Sequence, residues 1–562
     1  MSGPLLPLAL LAVLPALYFA FRLGLLRRRG PRLAALALAA AALLFALPAG
    51  GVDYVYLKRL NVFLALLAML LVAARYTGGA HALSRRRYLA GLAALTAAAL
   101  TVYLNFFAFH GQRTWVHLHD AAHYYLGAKY FDELGYENLY TAMLRAELET
   151  SPGRMSAHEV RDLSNNELVP PRELLLRSEE VKGAFTPERW EDWKKDVAVF
   201  RDQLGPQFAT LYADHGFNPT PLWPVMGGSL ARLVPAGSRT GVLLLTLLDP
   251  LLLLGAGAAV VWAFGWEAAL LGAIEFCLIY GASFGWTGGA FLRYVWFACV
   301  VVSLCALRRE RFLLAGVLLA VAAALRVFPI FFAVPLGLQA LVLAWRERAL
   351  PRPHLRFFAG LLAAGALLLL LSGAQGRGFA AWGEFRQNMS KHMDTVSPNI
   401  VGLTNALAYH QVPEMITLEE MRAEQERRAH VNHLQLLTVF VAALLFVALI
   451  VGRQDTVGAF LLGVPLLLTG LNLASYYYVL LVVLVIAWWD RPGRVIALFG
   501  LELASHAILL FEDRESLTYI YRSVLLLYLL AAVYLDDVRA ALRGLRRGAT
   551  PWGSGGEAAE PR

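Results

Sequence analysis

The densest chemical stretch in the chain is short and reads Trp115, His117, His119, Asp120, His123, Tyr124, Tyr125, Lys129 and Tyr130. Asp120 and His123 have i,i+3 spacing, so one face of a short helix can present both. A carboxylate so placed can take a proton from a hydroxyl, with His119 and His123 as further acid–base candidates. Tyr124 and Lys129 follow as candidates for substrate contact. The same spacing also suits a capping aspartate followed by interfacial aromatics. His117, His119, Asp120 and His123 could together hold a divalent metal, although their spacing matches no established ligand pattern.

Two further phrases carry chemistry. Asp214, His215 and Asn218 stand in a stretch stiffened by Gly216, Pro219, Pro221 and Pro224. They could bind a sugar or a metal, or tie down their own loop. Trp286-Thr287-Gly288-Gly289-Ala290-Phe291-Leu292-Arg293 ends on an arginine, and Leu325-Arg326-Val327-Phe328-Pro329 places another beside a helix-breaking proline. Arginine in apolar sequence is expensive unless paired or snorkelling. Two such arginines at one level could clamp a phosphate or pyrophosphate. His392, in a later polar stretch, could reach the same site.

These residues need elements to hold them. Of 562 residues, 58% are apolar and 16% charged, which excludes an ordinary soluble enzyme. Apolar runs recur at 5–21, 31–48, 59–74, 88–108, 241–262, 267–282, 293–306, 311–328, 329–345, 356–373, 435–451, 457–473, 474–489, 494–510 and 518–535. Each is read as a membrane span, about 15 in all, giving an all-α polytopic membrane protein. The first run has its arginines after the apolar stretch, which marks a retained span rather than a cleaved signal. Cys277, Cys299 and Cys305 fall inside runs and read as packing residues.

The net charge of +9 is placed as topology determinants, not as a nucleic-acid surface. Clusters at Arg22 to Arg32, Arg75 with Arg85 to Arg87, Arg308 to Arg311, Arg346 to Arg356, Arg453, Arg491 with Arg494, and Arg539 to Arg547 all fall on one side. The positive-inside rule makes that side cytoplasmic. The expected organisation is an N-terminal transmembrane addition at 1–87 and a span at 88–108. A first large exoplasmic segment follows at 109–240, then a transmembrane core at 241–373. A second exoplasmic segment occupies 374–434, a C-terminal core 435–536 and a cytoplasmic tail 537–562. Within the first segment, 120–134 reads as a helix capped by Asp120. Residues 187–201 read as an amphipathic helix that either lies along the membrane surface or packs on its own segment. Residues 416–433 read as a solvated charged helix.

This plan resembles the polytopic GT-C glycosyltransferases, including relatives of the bacterial polyprenyl-phosphate-mannose-dependent mannosyltransferases. The likeness rests on many spans, a first large external segment with an acid just beyond a span (Asp120 in HLHDAAHYYLGAKYFDEL), and the phrases WTGGAFLR, LRVFP and SYYY. About four spans precede Asp120, whereas members often carry their acid after the first. His119 stands where some members have a second acid. The WWDYG phrase of oligosaccharyltransferases is absent, and Trp488-Trp489-Asp490-Arg491-Pro492 falls on the expected cytoplasmic side.

The resemblance implies a GT-C-like bundle. It implies a polyprenyl-phosphate-linked sugar as donor and a lipid or cell-envelope glycan as acceptor. It places the reaction at the exterior face of a bacterial inner membrane. No cofactor is required, and a divalent metal is compatible. Asp120 would deprotonate the acceptor, and the arginines would hold the leaving phosphate, giving inversion by a single displacement. The principal alternative is a transporter or flippase of lipid-linked glycans, which would use the same arginines. A ligase joining lipid-linked glycans and a noncatalytic scaffold are further alternatives.

Overall fold

The computed structural model describes residues 52–76, 82–110, 114–151, 156–394, 399–407, 433–510 and 515–546. The expected spans at 5–21 and 31–48, most of the charged stretch 416–433 and the end of the tail lie outside the described residues.

The apolar runs form helices, and so do stretches of the polar segments. In chain order they are α1 (Tyr54–Tyr76), α2 (Arg85–Tyr103), α3 (Leu118–Lys129), α4 (Leu139–Thr150), α5 (Pro187–Leu204) and α6 (Leu248–Phe264). There follow α7 (Trp266–Leu278), α8 (Val295–Arg308), α9 (Phe312–Leu325), α10 (Ala333–Glu347), α11 (Arg352–Ser372) and α12 (Ala380–Asp394). The last six are α13 (His433–Val451), α14 (Thr456–Leu461), α15 (Gly463–Gly470), α16 (Val482–Ala487), α17 (Pro492–Ile508) and α18 (Glu515–Arg546). Strand structure among the described residues is limited to two small antiparallel ladders, Val160–Asp162 with Glu167–Val169 and Ile400–Val401 with Leu473–Ala474.

Among the described residues, five helices are long and apolar enough to cross a membrane: Tyr54–Tyr76, Arg239–Phe264, Phe328–Glu347, Arg352–Ser372 and Leu434–Val451. Four more apolar helices, at Val295–Arg308, Phe312–Leu325, Thr456–Gly470 and Ser475–Ala487, are shorter. Fewer helices pass that test than the apolar runs led one to expect: two runs lie outside the described residues, and others are too short, too polar or broken. The run 457–473 bends between α14 and α15 and then extends into a strand, and 474–489 opens with a 3-10 turn over Ser475–Leu481. The chain is an all-α polytopic membrane protein.

The bundle is drawn tight by small residues. On α9, a Cβ added at Gly316 would stand 1.9 Å from the Phe357 carbonyl oxygen, and on α11 one at Gly360 would stand 2.2 Å from the Leu313 carbonyl oxygen. The two backbones therefore touch, as small residues allow between helices in lipid.

The helices of the polar segment between α2 and α6 pack on one another. Thr186 caps α5 by accepting from the Arg189 N–H at 3.3 Å, with Pro187 in the first turn. Trp190, Trp193, Val197 and Phe200 are all buried, against α3 and α4. The Trp193 indole donates to the Ala142 carbonyl at 3.1 Å. Of the two placements open to this helix, the structure has the one within its own segment, because its apolar face is already covered.

Candidate functional site

The site is built on α3. His117 is its N-cap: the Nδ1 accepts from the Asp120 N–H at 3.1 Å. The expected cap, Asp120, is displaced from that task by the imidazole, and its carboxylate is left for other partners. The helix ends at Lys129, and Phe131–Leu134 forms a separate turn. Residues three to four apart share a face, so α3 presents two i,i+4 pairs. Asp120 with Tyr124 turns to the arginines, and His119 with His123 turns to Asp214.

The arginines arrive from breaks in apolar helices. Between α7 and α8 the chain is irregular, and it docks on the approach to α3. The His117 N–H donates to the Gly289 carbonyl at 2.9 Å, and the His110 ring meets the Gly288 carbonyl at 2.9 Å. Gly289 has φ of +66°, and a Cβ there would stand 1.9 Å from the Trp115 carbonyl oxygen. Only glycine fits such an approach. Leu292 is also left-handed, with φ of 52°, a conformation an aliphatic side chain rarely takes. It turns the chain so that Asp249, on α6, accepts from the N–H groups of Arg293 at 2.8 Å and Tyr294 at 3.1 Å. A carboxylate at the start of α8 is favourable against the helix dipole. Arg326 ends α9 in an extended conformation, and the chain then coils through a 3-10 turn at Phe328–Phe332.

These breaks converge. The Arg293 guanidinium forms an ion pair with Asp120 Oδ1, both groups largely buried. It also lies over the Tyr476 ring, 4.5 Å from its centroid. Arg326 donates to the Tyr124 hydroxyl at 2.6 Å and lies 5.7 Å from the Tyr477 ring centroid. Both arginines line one narrow cleft with Thr287, Tyr294, Trp296, Tyr476 and Tyr477. Irregular backbone in apolar chain is tolerated where it is buried in protein or lines a cavity. Among the described residues, Asp120 Oδ2 is buried without a hydrogen-bond partner.

On the other face, His119, His123 and Asp214 bring ligand atoms within 4.8 Å of one another. His119 Nδ1 lies 3.6 Å from Asp214 Oδ2. Burial, reinforced by His123, pushes the His119 imidazole below its ordinary value. Burial works the other way on Asp214, but His123, His119 and the His215 N–H outweigh it and hold that carboxyl low. A neutral imidazole beside an ionised carboxylate is the protonation state a divalent ion requires. His123 is less free. Its Nδ1 meets the His119 carbonyl at 2.8 Å and its Nε2 meets the Tyr140 hydroxyl at 2.9 Å. That hydroxyl also accepts from the Gly216 N–H at 3.0 Å. A metal here could bind His119 and Asp214 directly, but would take His123 only by displacing Tyr140.

The remaining expected residues divide. His215 Nδ1 lies 3.0 Å from Asn166 Oδ1, and its N–H donates to Asp214 at 2.7 Å. The Asn218 amide donates to the His215 carbonyl at 3.0 Å and accepts from Asn388 of α12 at 2.9 Å. Both brace the Asp214 loop. Lys129 is not brought to the arginine cleft. It sits at the far end of α3, where its ammonium meets Asp196 at 2.8 Å, the Tyr125 hydroxyl at 2.7 Å and the Val234 carbonyl at 3.3 Å. Those three contacts use its three donors. His392 lies on α12, and its side chain is outside the described residues. Asp249 and Tyr140 went unnoticed in the sequence. Asp249 had a signal, a lone acid before proline in a leucine run; Tyr140 had none.

A polytopic α-helical membrane protein with a half-buried His/His/Asp group, beside an acid–arginine pair, is the class that fold and site define. No protein-family model, curated protein or solved structure matches the chain.

Proposed function

We propose that the chain is a membrane glycosyltransferase. It moves a sugar from a polyprenyl-phosphate donor to a lipid or cell-envelope glycan acceptor, at the outer face of the membrane. The observation that carries this reading is that Arg293 and Arg326, partnered by Asp120 and Tyr124, line one cleft in apolar chain. Acid and cations side by side are what a displacement at a phosphate-bearing carbon needs.

In this mechanism the donor phosphate enters between Arg293 and Arg326. It draws the Arg293 guanidinium from Asp120, so the base is released only when donor is bound. The acceptor hydroxyl then attacks the anomeric carbon from the face opposite the phosphate. Its proton passes to Asp120, whose Oδ2 has no partner among the described residues. The bond from carbon to phosphate oxygen breaks, and the two guanidinium groups take up the negative charge that grows there. That charge is larger in the transition state than in the ground state, so the clamp accelerates the step. The sugar carbon inverts.

Arg326 gives the cleanest test of phosphate recognition, because the acid is not its partner. Binding of a polyprenyl phosphate to the purified chain in lipid discs is expected to weaken at least about tenfold in Arg326→Ala. The neutral polyprenol is expected to bind wild type and variant alike. Equal phosphate affinity in wild type and variant would contradict the clamp.

A further inference from the structure

A second polar cluster lies inside the bundle, apart from the cleft. Four helices contribute: Lys58 from α1, Glu275 from α7, Glu502 and His506 from α17, and Arg522 from α18. All five side chains are buried, and those of Glu275, Glu502 and Arg522 are fully inaccessible. Ionisable groups in such surroundings are costly, and each is expected to have a named partner.

Glu502 is well satisfied. Its Oε1 accepts from Arg522 at 3.0 Å and its Oε2 from the Tyr280 N–H at 2.8 Å. Lys58 lies over the Tyr280 ring at 4.2 Å and the Tyr54 ring at 4.5 Å. His506 Nε2 meets the Leu278 carbonyl at 2.6 Å, so Nε2 is the donor. The Tyr280 ring lies 5.4 Å from His506 and 5.6 Å from Tyr519. Glu275 is the exception. Among the described residues neither of its oxygens has a hydrogen-bond partner, and Arg522 keeps Nε and Nη1 unpartnered as well. The charges of Glu502 and Arg522 both act on Glu275.

Two forces therefore oppose each other at Glu275. Burial without a hydrogen bond favours the neutral acid. The neighbouring Arg522 cation favours the carboxylate, and its Nε and Nη1 have no hydrogen-bond partner among the described residues.

We propose that Glu275 is an exchangeable proton site inside the membrane bundle, with Arg522 as the cation that receives its carboxylate when the proton leaves. The ligand is a single proton. On loss, the O–H bond of the acid breaks, the proton passes to solvent and a charge-assisted hydrogen bond to Arg522 forms. The residues sit near the start of α1, the end of α7, the end of α17 and the start of α18. Of these ends, that of α7 is the one whose chain continues to Arg293. The proposal is independent of sugar transfer.

Infrared spectroscopy of the full chain in lipid tests it, by subtracting Glu275→Gln from wild type across about pH 5 to 9. Glutamine keeps shape and removes the acid, and retained thermal melting of the variant confirms its fold. The expected difference is an acid C=O stretch at low pH that gives way to a carboxylate stretch as pH rises. Arg522→Gln is expected to move that midpoint upward by at least about one pH unit, since the receiving cation is gone. Acid intensity unchanged over the whole range would make Glu275 a fixed neutral packing group and overturn the proposal. So would a carboxylate at every pH. A midpoint that Arg522→Gln leaves in place would overturn the role given to Arg522. If Arg522→Gln does not fold, Arg522→Lys serves, with a smaller shift expected and no shift contradicting the role.

Discussion

At the residue scale, partners matter more than residue types. Asp120, Arg293 and Arg326 were legible because charges in apolar chain draw attention. Their pairing was not. Asp120 meets a guanidinium 173 residues away, and Arg326 meets a tyrosine 202 residues away. Lys129 stood in the right stretch and found a different partner, because Asp196 arrives on α5. The histidines carry a pH consequence. Burial lowers His117 to about 3, and His215 to about 4, from an ordinary 6.5. Above pH 6.5 both are neutral, folded or unfolded, and contribute no pH dependence. As pH falls below that, the unfolded chain binds protons that the folded chain refuses. Stability is therefore lost as pH falls from 6.5 to about 4 for His215, and on to about 3 for His117. Each contributes a slope of about 1.4 kcal/mol per pH unit. Thermal melting of the detergent-purified protein is expected to drop over that window, and less steeply in His215→Gln. A flat melting temperature between pH 6.5 and 4 would contradict the burial that lowers these groups.

At the element scale, the site depends on where helices stop. The apolar runs were legible as helices, and the run boundaries match α1, α6, α10, α11 and α13 closely. The breaks were harder to read. Pro329 announced the end of α9, but the extension of 471–474 and the 3-10 turn carrying Tyr476 and Tyr477 had no proline to mark them. Nor does local sequence reveal that Gly289 is pressed on Trp115. Gly289→Ala tests that contact. The added methyl would collide with a carbonyl oxygen at 1.9 Å, at a φ of +66° that alanine disfavours. The expected result is a loss of about 1–3 kcal/mol, read as a lower melting temperature. Arg293 should shift from Asp120, with a matching loss of activity. An unchanged melting temperature together with unchanged activity would show that this loop does not hold the arginine.

At the scale of the molecule, the all-α multi-span class was legible from apolar content and run spacing. The compact packing of α3, α4 and α5 was not, because Trp190 and Trp193 suit a headgroup layer and a protein core equally well. The sidedness given by the arginine clusters can be measured directly. Leu176, 88% exposed, lies in the polar segment between α4 and α5. The native Cys277 and Cys305 are buried and Cys299 partly so. Leu176→Cys in intact cells is expected to react with a membrane-impermeant maleimide, while wild type stays dark. Labelling only after permeabilisation would place the polar segment inside and invert the topology.

The reaction itself decides the account. Purified wild type and Asp120→Asn would be placed in lipid vesicles with labelled polyprenyl-phosphate sugars and a panel of lipid and glycan acceptors. Wild type is expected to transfer sugar with inversion. Asp120→Asn, equally well folded, is expected to lose at least about a hundredfold in rate. Undiminished transfer by Asp120→Asn would remove the base from the mechanism. Passage of intact lipid-linked sugar across the bilayer, with no transfer to any acceptor, would contradict the transferase and make the arginine cleft part of a flippase.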